Sequence, residues 1–224
     1  MPDPHRNVRA NHPAVRALRL ALAGLISAAI ISQLTQVGSA AKAANFFSFF
    51  TIETNVLVVA VLIWGAVRRR DAATSARYEP ARGAATLFIL LVGVAFARLL
   101  ADVSRDLGLT LPWVNRVVHY ISPALLALDY LLVAPTSRLR WRSAFAWLAF
   151  PLAYLIFTFV RGGIIDWYPY PFLDHRLVGW SGVARHSIGI AMGVIVAAPA
   201  IIAIGNHAAP DASEPAGRRH GRPP

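Results

Sequence analysis

Six long runs of apolar residues, separated by short polar segments, dominate this chain of 224 residues. The runs are residues 14–37, 44–67, 83–103, 114–134, 144–160 and 183–204. Each holds about 17 residues or more, enough for a helix that crosses about 30 Å of hydrocarbon. Because backbone polar groups in lipid must be satisfied within their own segment, helices are the expected structure. We therefore predict an all-α fold, an integral membrane bundle of six transmembrane helices.

Charged residues make up only 15% of the chain, whereas soluble domains carry about a quarter. In a soluble protein the net charge of +11 would suggest nucleic acid. Here the basic residues flank the apolar runs and are not interleaved with exposed aromatic residues, so we expect lipid and no nucleic acid. The chain has no cysteine, which excludes disulfides, thiolate zinc sites and cysteine nucleophiles.

Positive charge is distributed unequally between the two sides that the six runs define. With the N-terminus in the cytoplasm, fifteen of the 22 Lys and Arg residues lie in cytoplasmic segments and six lie toward the outside. Because cytoplasmic loops carry the excess of Lys and Arg, we predict an N-in, C-in topology. Residues 1–13 and 205–224 are polar and typical of disordered cytoplasmic ends, and residues 14–204 form the transmembrane domain.

The first run has a second interpretation. Arg16 and Arg19 lead into an apolar stretch that ends at small residues over 41–45, a pattern that is also found in secretory signal peptides. Cleavage there would leave five spans and break the alternation of charge. The mass of the mature N-terminus distinguishes the two interpretations.

Polar residues within the runs converge on one layer toward the outer face, and the inner halves are almost purely apolar. Polar groups in hydrocarbon are costly, so they mark function or helix pairing. Thr51 and Asn55 are four residues apart and share a helix face, and His119, Ser122 and Asp129 follow one helical stripe. The same outer layer also contains Glu53, Arg98, Asp102, Asn115, Arg161, Arg185 and His186. We therefore predict a polar site in the outer half of the bundle.

Each of these residues also has a structural interpretation. The Thr51 hydroxyl would donate a hydrogen bond to a carbonyl of its own helix, as membrane threonines often do. The Asn55 side chain would form hydrogen bonds that join two helices. Structural ion pairs are the alternative for the charged residues: Arg98 with Asp102, and Arg185 or Arg161 with Glu53 or Asp129. The loop over residues 166–176 contains two prolines and four aromatic residues, which suits either an interfacial belt or a lid over the polar layer.

Motifs of soluble enzymes are absent. The sequence has no GxSxG, Walker A, GxGxxG or HExxH motif. Its seven histidines show no metal-ligand spacing. We therefore expect no metal and no cofactor.

Three segments together resemble a known family: FFSFFTIETN over 46–55, NRVVHYISP over 115–123 and YPYPFLDH over 168–175. The sequence is similar to the androgen-induced type of multi-span membrane hydrolases, and more closely to their bacterial six-span relatives of unassigned function. The animal members are threonine hydrolases that cleave fatty acid esters of hydroxy fatty acids. The resemblance implies a bacterial inner-membrane protein that hydrolyses a lipid or lipid-like ester.

Carried over by position, Thr51 matches the nucleophile of this family and His119 matches its essential histidine. The sequence departs from the animal enzymes at Tyr120, where they have a threonine, and at Pro123, which lies one place closer to the histidine than the proline of those enzymes. Asn55, Arg98 and Asp129 are the candidates for stabilising the oxyanion or orienting the catalytic groups. Candidate pocket or lid residues are Glu53, Asn115, Tyr168, Tyr170, Pro171, Phe172, Asp174, His175, Arg185 and His186.

Two other functions compete with the hydrolase. A small-solute transporter would need polar residues through both leaflets, which the apolar inner halves disfavour. A non-catalytic lipid-binding or assembly protein would use Thr51 and His119 only to join helices.

Overall fold

A computed structural model describes residues 12–68, 71–101 and 111–209, and within them the regular structure is entirely helical. There are seven helices in this part of the chain. They are α1 (Pro13–Leu34), α2 (Ala40–Phe47), α3 (Phe50–Val67), α4 (Ala72–Ala95), α5 (beginning with Pro112–Arg116 and ending with Ser122–Leu132), α6 (Ser143–Ile165) and α7 (His175–Ala208). The all-α prediction is confirmed.

Five of these helices, α1, α3, α4, α6 and α7, are long and apolar enough to cross a membrane. Their outward faces carry large apolar side chains; Phe145 and Ile164, for example, are each 76% exposed. An apolar exterior of this extent suits contact with lipid rather than water. These features are those of an integral multi-pass membrane protein.

Several predicted span limits are wrong. The run over residues 44–67 is divided at Ser48, where α2 ends before α3 begins. Helix α4 begins well before residue 83, because the side chain of Asp71 caps it by accepting from Thr74 N at 2.7 Å. Helix α7 covers His175–Ala208 with a kink at Gly179, where the backbone is non-helical (φ 67°), and residues 205–208 are helical and not a disordered tail. Residues 1–11, 69–70, 102–110 and 210–224, which include Asp102 and most of the two predicted ends, lie outside the described residues.

The predicted fourth span is a helical stretch over residues 112–132 that is interrupted by a π-helical turn, Val117–Ile121. Pro123 gives the local reason: it has no N–H, and in a regular α-helix its ring would collide with the carbonyl of His119. The turn shifts the pairing, so that Ser122 N donates to the carbonyl of Val117. The carbonyl of Val118 is thereby released from the helix and can accept a bond from elsewhere.

A second π-helical turn, Phe96–Leu100, extends the end of α4 beside the first. The helices approach closely here because Gly93 has no side chain. A Cβ atom on Gly93 would lie 3.3 Å from both the carbonyl oxygen of His119 and the ring of Pro123. π-Helical turns are frequent at functional sites, and here two of them face each other.

The opposite end of the bundle holds a buried ionic cluster, which we call the Arg19 cluster. Its members are Arg19, Arg68, Glu79, Arg82 and Asp129. Arg19 binds Asp129 through two nitrogens, Nε at 2.7 Å and Nη2 at 2.9 Å. Arg68 Nη2 donates to Glu79 at 3.1 Å, and Arg82 Nη2 donates to the carbonyl of Val133 at 2.7 Å. The prediction that the inner halves are almost purely apolar is therefore wrong.

Candidate functional site

Thr51 lies in the first turn of α3, where a helix has backbone N–H groups without partners inside it. Its side chain does not bond a carbonyl of its own helix. Instead Thr51 Oγ1 lies 3.4 Å from His119 Nε2 and 3.3 Å from the hydroxyl of Tyr170. The residue is only 8% exposed. Three distant parts of the sequence therefore meet at one hydroxyl group.

His119 is held in one orientation by two groups. Its Nδ1 lies 2.7 Å from Asn115 Oδ1 and 3.2 Å from the backbone carbonyl of Asn115. A carbonyl oxygen can only accept, so Nδ1 carries the proton and donates it. The neutral ring then has Nε2 free as an acceptor, and Nε2 is the atom that faces Thr51. Phe96 stacks on the imidazole with ring centroids 3.8 Å apart.

Tyr170 comes from the loop between α6 and α7 and enters the bundle. Its hydroxyl accepts a bond from the backbone N–H of Thr51 at 3.2 Å in addition to the contact with Oγ1. The ring stacks on Phe172 with centroids 5.1 Å apart, and Phe49 meets it edge-on at 5.5 Å. Burial raises the pKa of Tyr170, so its hydroxyl keeps its proton at neutral pH.

Asn55 joins α3 to α5. Its Nδ2 donates to the carbonyl of Thr51 at 2.8 Å and to the carbonyl of Val118 at 3.2 Å. The second of these carbonyls is the one that the π-helical turn releases. Both amide hydrogens of Asn55 are used in this way, which leaves only the buried Oδ1 without a partner. Asn55 can accept a further bond, but it cannot donate one to an oxyanion.

An apolar cavity of about 60 Å³ adjoins this group. Thr51 and Tyr170 form part of its wall, and Leu91, Ala95, Leu155 and Phe172 are among the apolar residues that complete it. An apolar cavity of about 150 Å³ is large enough for benzene, so this one accommodates a few carbon atoms. The cavity lies between α3, α4, α6, α7 and the loop that carries Tyr170.

The rest of that loop covers the site. Residues Pro171–Leu173 form a 3-10 turn, and Phe172, Leu173 and Asp174 are buried. Asp174 caps α7 and binds Arg176, whose guanidinium lowers the pKa of the Asp174 carboxyl. This burial fits the lid interpretation better than an exposed interfacial belt.

Other predicted lid residues surround this loop without touching Thr51. The ring of Tyr168 meets His175 edge-on with centroids 5.7 Å apart, and His175 stacks on Trp180 at 4.4 Å. His186 Nδ1 donates to a carbonyl of α7 at 2.8 Å and its ring lies 5.8 Å from Phe172. Arg185 is exposed.

The structure does not bring Asp129, Arg98 or Glu53 to the Thr51 hydroxyl. Asp129 lies ten residues beyond His119, about 15 Å along the helix, and belongs to the Arg19 cluster. Arg98 is exposed on its π-helical turn, and Glu53 is half-buried on α3. The suggested pair of Arg161 with Glu53 or Asp129 is also absent, because Arg161 donates to Asn45 Oδ1 at 2.6 Å.

Sequence reasoning missed Phe96 and the Arg19 cluster. Phe96 carries no signal in the sequence, because an aromatic residue in an apolar run is expected in any core. Arg19 lies at the start of the first apolar run and Arg82 directly before the third, where positive charge indicates topology and not burial. The three-residue spacing of Glu79 and Arg82 is the one available hint of pairing.

The described residues contain no group of three or more His, Cys, Asp or Glu side chains that could hold a metal ion. Comparisons with protein-family models, curated proteins and solved structures find no match for this chain. The resemblance to threonine hydrolases thus rests on the three sequence segments and on nothing else. What the fold establishes is a multi-helix apolar bundle with five candidate membrane spans.

Proposed function

We propose that this protein is a six-span membrane hydrolase of lipid-like esters, with Thr51 as the nucleophile and His119 as the base. The observation that carries the proposal is the 3.4 Å contact between Thr51 Oγ1 and the unprotonated Nε2 of His119. A threonine hydroxyl is a weak nucleophile and needs an adjacent base that a third group orients. Asn115 supplies the orientation here. Such contacts are often long in free enzymes and shorten when substrate binds.

The chemistry proceeds in two steps. Thr51 Oγ1 attacks the ester carbonyl carbon, its proton passes to His119 Nε2, and the carbonyl electrons move onto the oxygen. When the intermediate collapses, the ester C–O bond breaks and the leaving alcohol takes the proton from His119. Water then attacks the acyl-threonine and gives its proton to His119, which returns it to Thr51 as the carboxylic acid departs.

The surroundings of the site favour an apolar substrate. The cavity beside Thr51 has room for the carbon atoms next to a carbonyl, and the exterior of the bundle is apolar. In this proposal the stretch over residues 112–132 also crosses the membrane, as the fourth span of six, both termini are cytoplasmic and Thr51 faces the outer side. Lipid then brings the acyl chain, and water reaches the ester from outside.

Transport is less well supported. Between the Thr51 hydroxyl and the Arg19 cluster, the described interior is packed with side chains such as Val58, Leu62, Ile89 and Leu126. The charged groups of the cluster pair with one another. They form a closed network at one end of the bundle and do not extend toward Thr51.

The test is turnover of long-chain esters by purified protein in detergent or nanodiscs. We expect Thr51→Ala and His119→Ala to abolish turnover, while Thr51→Ser retains it. Thr54→Ala is the matched control, because Thr54 is a buried threonine on the same helix whose hydroxyl has no partner. Full activity in Thr51→Ala would contradict the proposal. Loss of folding in both alanine variants, with no turnover by the wild type, would instead favour a non-catalytic role.

A further inference from the structure

An ester hydrolase needs hydrogen-bond donors for the oxyanion that forms on the carbonyl oxygen. The sequence offered Asn55 and Arg98 for this role. Both N–H groups of Asn55 already donate to backbone carbonyls, and Arg98 is exposed. The donors must therefore be other groups near Thr51.

Two donors meet at the nucleophile itself. The N–H of Thr51 lies in the first turn of α3 and has no acceptor within the helix, so it donates to the hydroxyl of Tyr170 at 3.2 Å. That hydroxyl is also 3.3 Å from Thr51 Oγ1. A carbonyl carbon bonded to Oγ1 would carry its oxygen within reach of both groups. Serine proteases likewise use the N–H of the nucleophile's own residue.

From this geometry we infer that Tyr170 is a further catalytic residue, whose hydroxyl forms the oxyanion site together with the backbone N–H of Thr51. This inference rests on the proposed function. In the free protein the Thr51 N–H donates to the hydroxyl oxygen of Tyr170. When substrate binds, the oxygen of its carbonyl replaces the tyrosine oxygen as the acceptor of the Thr51 N–H.

The directions of the hydrogen bonds around Thr51 agree with this role of Tyr170. Asn115 fixes the proton of His119 on Nδ1, so the Thr51 hydroxyl donates to Nε2. Thr51 Oγ1 then accepts from Tyr170, whose own oxygen accepts from the Thr51 N–H. The tyrosine proton therefore already points toward the atoms that react. Stacking on Phe172 and near-complete burial hold the ring in this position.

The decisive variant is Tyr170→Phe, which keeps the ring and removes the hydroxyl. We expect kcat for ester turnover to fall about 100- to 1,000-fold with little change in KM, as when one oxyanion donor is lost. Tyr130→Phe is the matched control: Tyr130 is a buried tyrosine whose hydroxyl donates to the carbonyl of Ile201 at 2.9 Å, beside the Arg19 cluster and away from Thr51. Tyr130→Phe should retain the wild-type kcat.

The outcomes separate the two proposals. If the wild type turns over esters through Thr51 and Tyr170→Phe is equally active, the inference about Tyr170 is overturned and the proposed function stands. If the wild type has no turnover, both are overturned. Should Tyr170→Phe unfold, 3,5-difluorotyrosine at position 170 keeps ring and hydroxyl but makes the phenol more acidic. We then expect activity to fall at a lower alkaline pH than in the wild type, and an unchanged pH profile would refute the role.

Discussion

Replacing Asp129 with asparagine should destabilise the whole bundle, although the residue lies far from Thr51. The carboxylate accepts two short bonds from Arg19, at 2.7 and 2.9 Å, and lies 3.9 Å from Arg82. Both arginine side chains are only 2% exposed. Asparagine removes the negative charge and leaves the guanidinium of Arg19 buried without its counter-ion.

Two independent estimates of the cost agree. Breaking one partner of a buried ion pair costs about 3–5 kcal/mol. Two hydrogen bonds to charged groups at about 1.5–3 kcal/mol each give about 3–6 kcal/mol. For a chain of this length, 1 kcal/mol shifts the melting temperature by about 2–4 °C. We therefore expect Asp129→Asn to melt about 6–20 °C below the wild type.

The assay is thermal unfolding in one detergent, followed by the fluorescence of the six tryptophans. Asp166→Asn is the matched control, because Asp166 also pairs with an arginine but its side chain is 83% exposed. Such surface pairs contribute about 0–1 kcal/mol. The double variant Arg19→Met with Asp129→Leu should be more stable than Asp129→Asn, because no charge is left without a partner. Equal melting temperatures for Asp129→Asn and Asp166→Asn would show that the buried pair of Arg19 and Asp129 does not stabilise the bundle.

Three further predictions concern the site and its lid. Gly93→Val should push α4 away from His119 and reduce turnover at a stability cost of about 1–3 kcal/mol, whereas Gly189→Val, with open space around it, should do neither; melting curves and kcat check both. Asn115→Ala should lower kcat by at least about tenfold, because His119 Nδ1 loses its short bond to the Asn115 side chain and keeps only the longer bond to the backbone carbonyl; an unchanged kcat would show that the orientation does not matter. The low pKa of Asp174 means that its carboxylate stabilises the fold above its unfolded pKa of about 3.9, and this contribution is lost as pH falls through the folded value. Asp174→Asn should therefore have a lower free energy of unfolding than the wild type at pH 7, by about 1 kcal/mol or less. This difference should disappear below about pH 4, and a difference that persists in acid would contradict the stabilising role of the Asp174 carboxylate.

Local sequence patterns were sufficient for the parts of the fold that depend on single helices. Long apolar runs predict membrane-length helices wherever no interruption occurs, as in α1 and α6. The meeting of Thr51 with His119 also follows from simple topology, because both lie near the N-terminal ends of α3 and α5, two helices that run in the same direction. Patterns of this kind do not show how far a helix extends beyond its apolar part, which is why the start of α4 was placed too late.

What the sequence could not provide depends on contacts between distant segments. Arg19 and Asp129 are 110 residues apart, and only the packed bundle shows that they neutralise each other. The π-helical turn at His119 has a local cue in Pro123, but its effect on the Val118 carbonyl becomes clear only when Asn55 is seen to bind it. The lid residue Tyr170 was expected near the site, whereas its double contact with Thr51 required the structure.

Covalent labelling identifies the nucleophilic residue without the need to know the substrate. Purified protein is treated with a fluorophosphonate that carries a long alkyl chain, and the modified residue is identified by peptide mass spectrometry. We expect a single adduct on Thr51 that is absent from Thr51→Ala, strongly reduced in His119→Ala and unchanged in Thr54→Ala. No adduct on the wild type, or equal labelling of Thr51→Ala, would contradict Thr51 as the nucleophile.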